Sequence, residues 1–164
     1  MGWITSFFEW LSPKEVEVRL SAKYFSDKEL NCNGSGGLKL APEFDEMLYE
    51  LRRNVGEPMI VTSCCRSRDY NKKVGGHNRS LHVYDYPAHP TGGTCAIDIR
   101  RKSKLYDLKL ILEAWELGFS IGLHPAFLHF DARTDVLGFN QAVFSYGSTD
   151  KKELNKIRKM VGLG

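Results

Sequence analysis

Apolar residues recur at helical spacing in three stretches of the chain. Between Pro42 and Gly56 they return every three or four positions, which predicts an amphipathic helix that begins at the proline and ends at the glycine. A second apolar-rich stretch follows Ser103, a typical N-cap residue, and ends at Gly118. Residues 149–161 keep the helical pattern with a basic outer face, so we expect a C-terminal helix there.

Shorter apolar runs without helical spacing predict β-strands. They are residues 59–62, 95–99, 119–123, 127–131 and 143–146. The predicted strands and helices follow one another in an irregular order, which does not fit the regular alternation of a doubly wound α/β fold. We therefore expect an α+β fold in which helices flank a small antiparallel sheet.

The chain divides into three predicted segments around one core. Its 164 residues suffice for a single domain. Residues 1–23 form an amphipathic lead-in, residues 24–148 form the central domain, and residues 149–164 form the basic C-terminal helix. Within the central domain, residues 75–94 are a long loop rich in glycine and proline, and loops of that length are usually functional or insertions.

Composition and charge exclude several classes of protein. With 42% hydrophobic and 26% charged residues, the chain has the composition of a folded protein and not of a disordered one. The net charge of +3 is too small to indicate a nucleic-acid-binding protein. No apolar run is long enough to span a membrane, and the first residues lack the features of a signal peptide.

The cysteines do not indicate a metal site. Cys32, Cys64, Cys65 and Cys95 match no zinc-ribbon spacing. Free Cys commonly behaves as a small buried apolar residue, and a chain without a secretion signal is expected in a reducing compartment. We therefore favour buried free thiols over a disulfide.

Two strand carboxylates and a histidine are candidates for chemistry. Asp98 lies in an otherwise apolar predicted strand, and a buried carboxylate there needs a strong partner. That partner is either a metal ion or an arginine such as Arg66 or Arg100. His129 and Asp131 are two positions apart in another predicted strand, so their side chains share one face. This pairing favours a functional site over an isolated structural histidine.

Short motifs along residues 24–131 occur in the order found in a known enzyme family. The chain resembles the zinc D-alanyl-D-alanine carboxypeptidase family, in particular its phage-associated branch, whose fold is shared with hedgehog signalling domains. The matching pieces are Tyr24-Phe25-Ser26, Glu29-Leu30-Asn31-Cys32, Val61-Thr62-Ser63-Cys64-Cys65-Arg66-Ser67, Tyr70-Asn71, Val74-Gly75-Gly76, Ser80-Leu81-His82, Ala96-Ile97-Asp98-Ile99 and Phe127-Leu128-His129-Phe130-Asp131. Each piece is short, and their common order makes the resemblance specific.

The resemblance implies a zinc peptidase domain that cleaves peptidoglycan stem peptides. It implies zinc ligands at His82, Asp98 and His129, and an arginine, Arg66, that binds a substrate carboxylate or the developing oxyanion. A guanidinium suits this role because it offers a fixed fork of donors. Ser80 is a further expected substrate-binding residue. The bond cut is either a terminal D-Ala–D-Ala link or an internal L-Ala–D-Glu link.

The spacing of the first two ligands departs from the family. His82 and Asp98 lie 16 positions apart, whereas the family usually places them close together. The apparent insertion contains His89, which is a rival first ligand. We prefer His82 because its spacing from the preceding glycine motif matches the family, and we expect His89 to line the substrate cleft instead.

The general base is the second departure. Family members usually carry an acid or a histidine shortly before the last ligand, where this chain has Ala126 and Phe127. The nearest candidates are His124 and Asp131. The sequence does not choose between them, because a base must reach the attacking water and its position depends on the fold.

Two other functions compete with the enzymatic one. The first is a non-catalytic zinc-containing module that binds cell wall or forms part of a phage particle, which the missing base favours. The second is nucleic-acid binding by the basic C-terminal helix, although its cations are more simply interpreted as a solvated face. The location, either the cytoplasm of a phage-producing host or a virion, and the oligomeric state are left open.

Overall fold

A short amino-terminal region leads into the first long helix. The structure, a computed structural model, describes residues 18–32, 37–85 and 92–164. A 3-10 turn, Leu20–Lys23, precedes helix α1, Asp27–Leu30, in which Ser26 and Glu29 form a reciprocal capping box. Most of the predicted lead-in and the rival ligand His89 lie outside the described residues.

Helix α2 confirms the strongest helical pattern of the sequence. It spans Pro42–Val55 and ends at Gly56, whose φ of 71° is left-handed and favours glycine. Its apolar side, which includes Phe44, Leu48 and Leu51, is fully buried in the core. The periodicity was sufficient here because one face of the helix packs against the protein and the other meets solvent.

The strands form one sheet in the order β1-β2-β4-β3-β5. The neighbouring pairs β1-β2, β2-β4 and β4-β3 are antiparallel, as expected, whereas β5 runs parallel to β3. Helix α5 and the loop after it carry the chain back along the sheet, so that β5 takes the direction of β3. The strands are β1 Val61–Ser63, β2 Ala96–Arg100, β3 Ser120–Leu123, β4 Phe127–Asp131 and β5 Val143–Ser145.

The remaining helices complete an α+β fold, which confirms the predicted class. Helix α3 spans Arg68–Lys73, α4 spans Lys104–Glu116, α5 spans Arg133–Leu137 and α6 spans Lys151–Met160. Helix α4 packs against α2 and β3, and Ile157 of α6 is buried in the same core. No helix in the described part of the chain is both long and apolar enough to cross a membrane.

The central strands separate the core from the opposite face of the sheet. Ile97 and Ile99 of β2, and Leu128 and Phe130 of β4, are fully buried among the core side chains. Because side chains alternate along a strand, Asp98 and the residue paired with it on β4 project to the other face. The four cysteines are free thiols, of which Cys32 alone is partly exposed.

Candidate metal centre

Three side chains from distant parts of the chain converge on the face of the sheet opposite the core. Asp98 and His129 are directly paired across β2 and β4, and His82 lies in the loop that precedes β2. Each offers one potential ligand atom, and these atoms lie within 4.8 Å of one another. The three residues are 4–5% exposed. The structure therefore brings together the three residues predicted as metal ligands.

Hydrogen bonds fix which nitrogen of each imidazole faces the centre. His82 Nδ1 donates to the Cys64 carbonyl at 2.8 Å, which leaves Nε2 facing Asp98 Oδ1 at 3.2 Å. His129 Nε2 contacts Asp131 Oδ2 at 3.0 Å, and its Nδ1 lies 2.8 Å from Asp98 Oδ1. Metal-binding histidines typically have this arrangement, with the second ring nitrogen held by a carbonyl or carboxylate.

Burial and close contacts shift the pKa values of the three clustered side chains. Burial alone would raise the pKa of Asp98, but His82 and His129 lower it well below its usual range. Burial lowers the pKa of His82. Burial acts in the same direction on His129, yet hydrogen bonds to Asp131 and Asp98 outweigh it and raise the pKa of His129 to about 9. A cation at the centre would therefore displace a proton from His129.

The donor set fits a catalytic metal site. Catalytic zinc commonly takes three protein ligands drawn from histidine and carboxylate, with a further position left for water or substrate. Two imidazole nitrogens and one carboxylate oxygen converge here, and the three residues line an open cleft of about 880 Å³. Within the described residues, no other group of three or more His, Cys, Asp or Glu converges in this way.

Arg66 follows β1 and lies beside the centre. Its Nε donates to Ser63 Oγ at 2.8 Å, and one terminal nitrogen donates to Asn71 Oδ1 at 3.3 Å. The other terminal nitrogen lies 3.5 Å from Asp98 Oδ2. Asp98 thus has an arginine partner as well as the two histidines. The guanidinium is held in one orientation while it still borders the cleft.

Asp131 is fully buried and engaged by two partners. Besides accepting from His129, its oxygens accept from Arg133 Nε at 2.7 Å and from a terminal Arg133 nitrogen at 2.6 Å. Burial would raise the pKa of Asp131, but Arg133 and His129 lower it to about 2. Asp131 is therefore a carboxylate that holds His129 in position.

The other predicted site residues lie in different places. Ser80 borders the cleft, and its Oγ accepts a 3.4 Å hydrogen bond from the His82 backbone. His124 is stacked on Phe127 with ring centroids 4.2 Å apart, and its Nδ1 accepts from the Ala126 N–H. His124 is not among the residues that line the cleft, within the portion of the chain described.

Several cleft residues were not found by sequence reasoning. His77, Arg79 and Tyr146 line it, and Tyr146 follows β5 directly. Arg133 packs its guanidinium 4.7 Å from the centre of the Phe144 ring while it binds Asp131. Of these residues, only Arg133 could have been inferred from the sequence, because it follows the candidate residue Asp131 by two positions.

A comparison with known protein families gives a match over most of the central domain. Residues 23–131 match the family described as Peptidase M15. A comparison with curated proteins finds no match. The match covers the candidate ligands, Arg66 and both central strands, and it confirms the resemblance found from the short motifs. The chain therefore belongs to the peptidase M15 family of metallopeptidases.

Proposed function

We propose that the chain is a zinc peptidase that hydrolyses peptidoglycan stem peptides at the centre formed by His82, Asp98 and His129. The observation that carries this proposal is the convergence of their ligand atoms within 4.8 Å in the lining of an open cleft. Bound zinc would supply a Lewis acid that polarises the scissile carbonyl and lowers the pKa of water to about 7.

The residues around the centre hold its ligand side chains in fixed orientations. The Cys64 carbonyl holds the His82 ring, and Asp131 holds the His129 ring, so one nitrogen of each imidazole faces the same point. Arg133 neutralises Asp131 and fixes its two oxygens. These contacts are formed before substrate binds, and such preorganisation limits the rearrangement needed during the reaction.

The residues that line the cleft suit a peptide with a carboxylate. Arg66, His77 and Arg79 provide cationic or hydrogen-bonding groups in the lining. Leu137 and Phe139 provide an apolar surface elsewhere in the lining. We propose that Arg66 binds a substrate carboxylate, because its fork of donors is anchored and desolvated on its inner side. Stem peptides, whose residues carry free carboxylates and alanine methyl groups, match this lining.

The identity of the general base stays a prediction. Asp131 borders the cleft, but its oxygens are occupied by His129 and Arg133, and its low pKa makes it a weak proton acceptor. His124 is stacked on Phe127 and is not among the described residues that line the cleft. We propose that Asp131 acts as a positioning residue, and a direct test of His124 is the activity of His124→Ala.

A chelator experiment tests the proposed function. Purified protein incubated with peptidoglycan should release new amino groups, and a strong zinc chelator should stop this release because the ligand cluster is then empty. Stoichiometric zinc should restore it. Mass spectrometry of the muropeptides identifies the cleaved bond. Equal product with and without the chelator, in metal-free buffer, contradicts a metal-dependent reaction.

Asp131→Asn tests the positioning role. The amide cannot accept as strongly from His129 and presents donors to Arg133, so the imidazole loses its fixed tautomer. We expect zinc affinity to fall about 10- to 100-fold, the usual effect of removing such a partner. Competition with a chromogenic chelator measures the affinity, and thermal unfolding checks that the variant is folded. Unchanged zinc affinity in a folded variant contradicts this role.

A second candidate function is a non-catalytic module that binds wall peptides. The observation in its favour is that Asp98 and Asp131 are the only carboxylates lining the cleft among the described residues, and both are engaged. A module of this kind should bind zinc and retain stem peptides, yet release no product in the assay above. Product formed in proportion to enzyme and time dismisses it.

A further inference from the structure

Tyr146 borders the cleft directly beside the candidate metal centre. Its ring meets the His129 imidazole nearly edge-on, with centroids 5.6 Å apart and planes at 79°. It also packs against Phe144, with centroids 5.3 Å apart. These two contacts fix the ring next to a proposed metal ligand.

A glycine on the adjacent strand makes this position possible. Gly122 of β3 pairs with His129 and lies beneath the tyrosine ring. A Cβ atom at Gly122 would lie 2.5 Å from Tyr146 Cε2, closer than atoms pack, and 3.0 Å from His129 Cβ, which is a tight contact. Any side chain there would displace the ring, so the close approach of Tyr146 to the centre depends on this glycine.

The Tyr146 hydroxyl lies among the charged groups of the site. It interacts electrostatically with the carboxylates of Asp98 and Asp131 and with the guanidinium groups of Arg133 and Arg66. No hydrogen bond to a described residue engages it. The residue is 37% exposed and is one of those that line the cleft. A hydroxyl in this place is available to a bound molecule.

Tyr146 and Arg66 approach the centre from opposite edges of the sheet. Arg66 follows β1 and Tyr146 follows β5, which are the two edge strands, whereas Asp98 and His129 lie on the central strands between them. A peptide that places its carboxylate at Arg66 and its scissile bond over the centre therefore extends towards Tyr146.

We propose that Tyr146 is a catalytic residue whose hydroxyl donates a hydrogen bond to the carbonyl oxygen of the scissile amide as that oxygen becomes negative. The proposal rests on the proposed peptidase function. The oxygen of water bonds to the carbonyl carbon, and the carbonyl electron pair moves to its oxygen. The pair then returns, the C–N bond breaks, and the amine leaves with a proton from the water. Tyr146 keeps its own proton throughout.

The test is Tyr146→Phe, which removes the oxygen and keeps the ring packed on His129. We expect kcat to fall about 10²-fold, with KM and zinc content unchanged, since loss of one oxyanion donor typically has this effect. A phosphinate analogue of the dipeptide link that the wild type cuts provides a readout independent of turnover. Its tetrahedral oxygen resembles the oxyanion, so its Kd, measured by calorimetry, should rise about 10-fold or more.

Tyr106→Phe is the matched control, because the Tyr106 hydroxyl donates to the Pro58 carbonyl away from the cleft. It should leave kcat and phosphinate binding unchanged. A Tyr146→Phe variant with wild-type kcat and phosphinate Kd overturns the proposal and leaves the peptidase function standing. Loss of zinc from that variant also overturns it, because the fall in kcat would then come from a disturbed metal ligand, His129, and not from the missing hydrogen-bond donor. A wild type that releases no product instead refutes the proposed function itself.

Discussion

His82→Ala is expected to abolish zinc binding and peptide hydrolysis together. The substitution removes one of three converging donors and leaves the buried carboxylate of Asp98 with fewer partners. A site with two protein ligands holds zinc weakly, and without the metal the amide carbonyl is not polarised. We expect a loss of activity of at least about 10³-fold. Elemental analysis after dialysis and turnover on purified peptidoglycan are measured on the same sample.

His77→Ala is the control for this change. His77 borders the same cleft but does not belong to the converging cluster, so the variant should keep one zinc per chain. Circular dichroism establishes that both variants are folded. If His82→Ala keeps full zinc occupancy and activity, the ligand assignment is wrong, and the first ligand must come from elsewhere, with His89 the next residue to replace.

Replacing Arg66 with alanine is expected to lower kcat/KM about 10²- to 10³-fold while zinc content stays at the wild-type level. The guanidinium is anchored by Ser63 and Asn71 and borders the cleft, so its loss removes a fixed donor pair from the substrate site. It contacts Asp98 at 3.5 Å, which is a weaker contact than those of the two histidines. Steady-state kinetics on a defined stem peptide measures the effect.

Arg66→Lys separates charge from geometry. Lysine keeps the positive charge but cannot form the planar two-point contact, so we expect it to recover only a small part of the activity. Arg53→Ala, on the exposed side of α2, is the control for removing a surface arginine. Full activity in Arg66→Ala with unchanged KM would show that substrate is held by other groups.

The sequence was most informative where a local pattern has one structural solution. Helix α2 begins at its proline and ends at its glycine as predicted, because both residues restrict the backbone directly. The capping box at Ser26 is also local, because the side chains of Ser26 and Glu29 each accept a hydrogen bond from the other's backbone N–H. The predicted strand at residues 127–131 was confirmed with the same bounds as β4, since apolar Leu128 and Phe130 alternate there with polar His129 and Asp131.

Local patterns failed where the tertiary structure sets the boundary. Strand β1 begins at Val61 and ends at Ser63, later than predicted, with an irregular register against β2. Helix α5 was not predicted because it has only five residues and no side-chain cap. The parallel pairing of β5 was also missed, since strand direction depends on how the intervening chain returns to the sheet.

The candidate site shows the same division. Asp98 was recognised as a buried carboxylate in need of partners, and the structure gives it three: His82, His129 and Arg66. The sequence had left a metal ion and an arginine as alternatives, whereas the geometry makes an arginine contact compatible with the metal cluster. Sequence reasoning offered Asp131 as a base because it could not see that Arg133 and His129 occupy its oxygens.

The sequence by itself determined the class of fold, the long helices, the family and the residues that meet at the centre. These follow from residue spacing, from turn residues and from motif order, all of which are visible in the linear sequence without knowledge of tertiary contacts. The tertiary structure alone decided the orientation of each imidazole, the partner of each carboxylate and the place of Tyr146 beside His129. Those features depend on atoms that are distant in sequence and come within hydrogen-bonding or packing distance only when the sheet has formed.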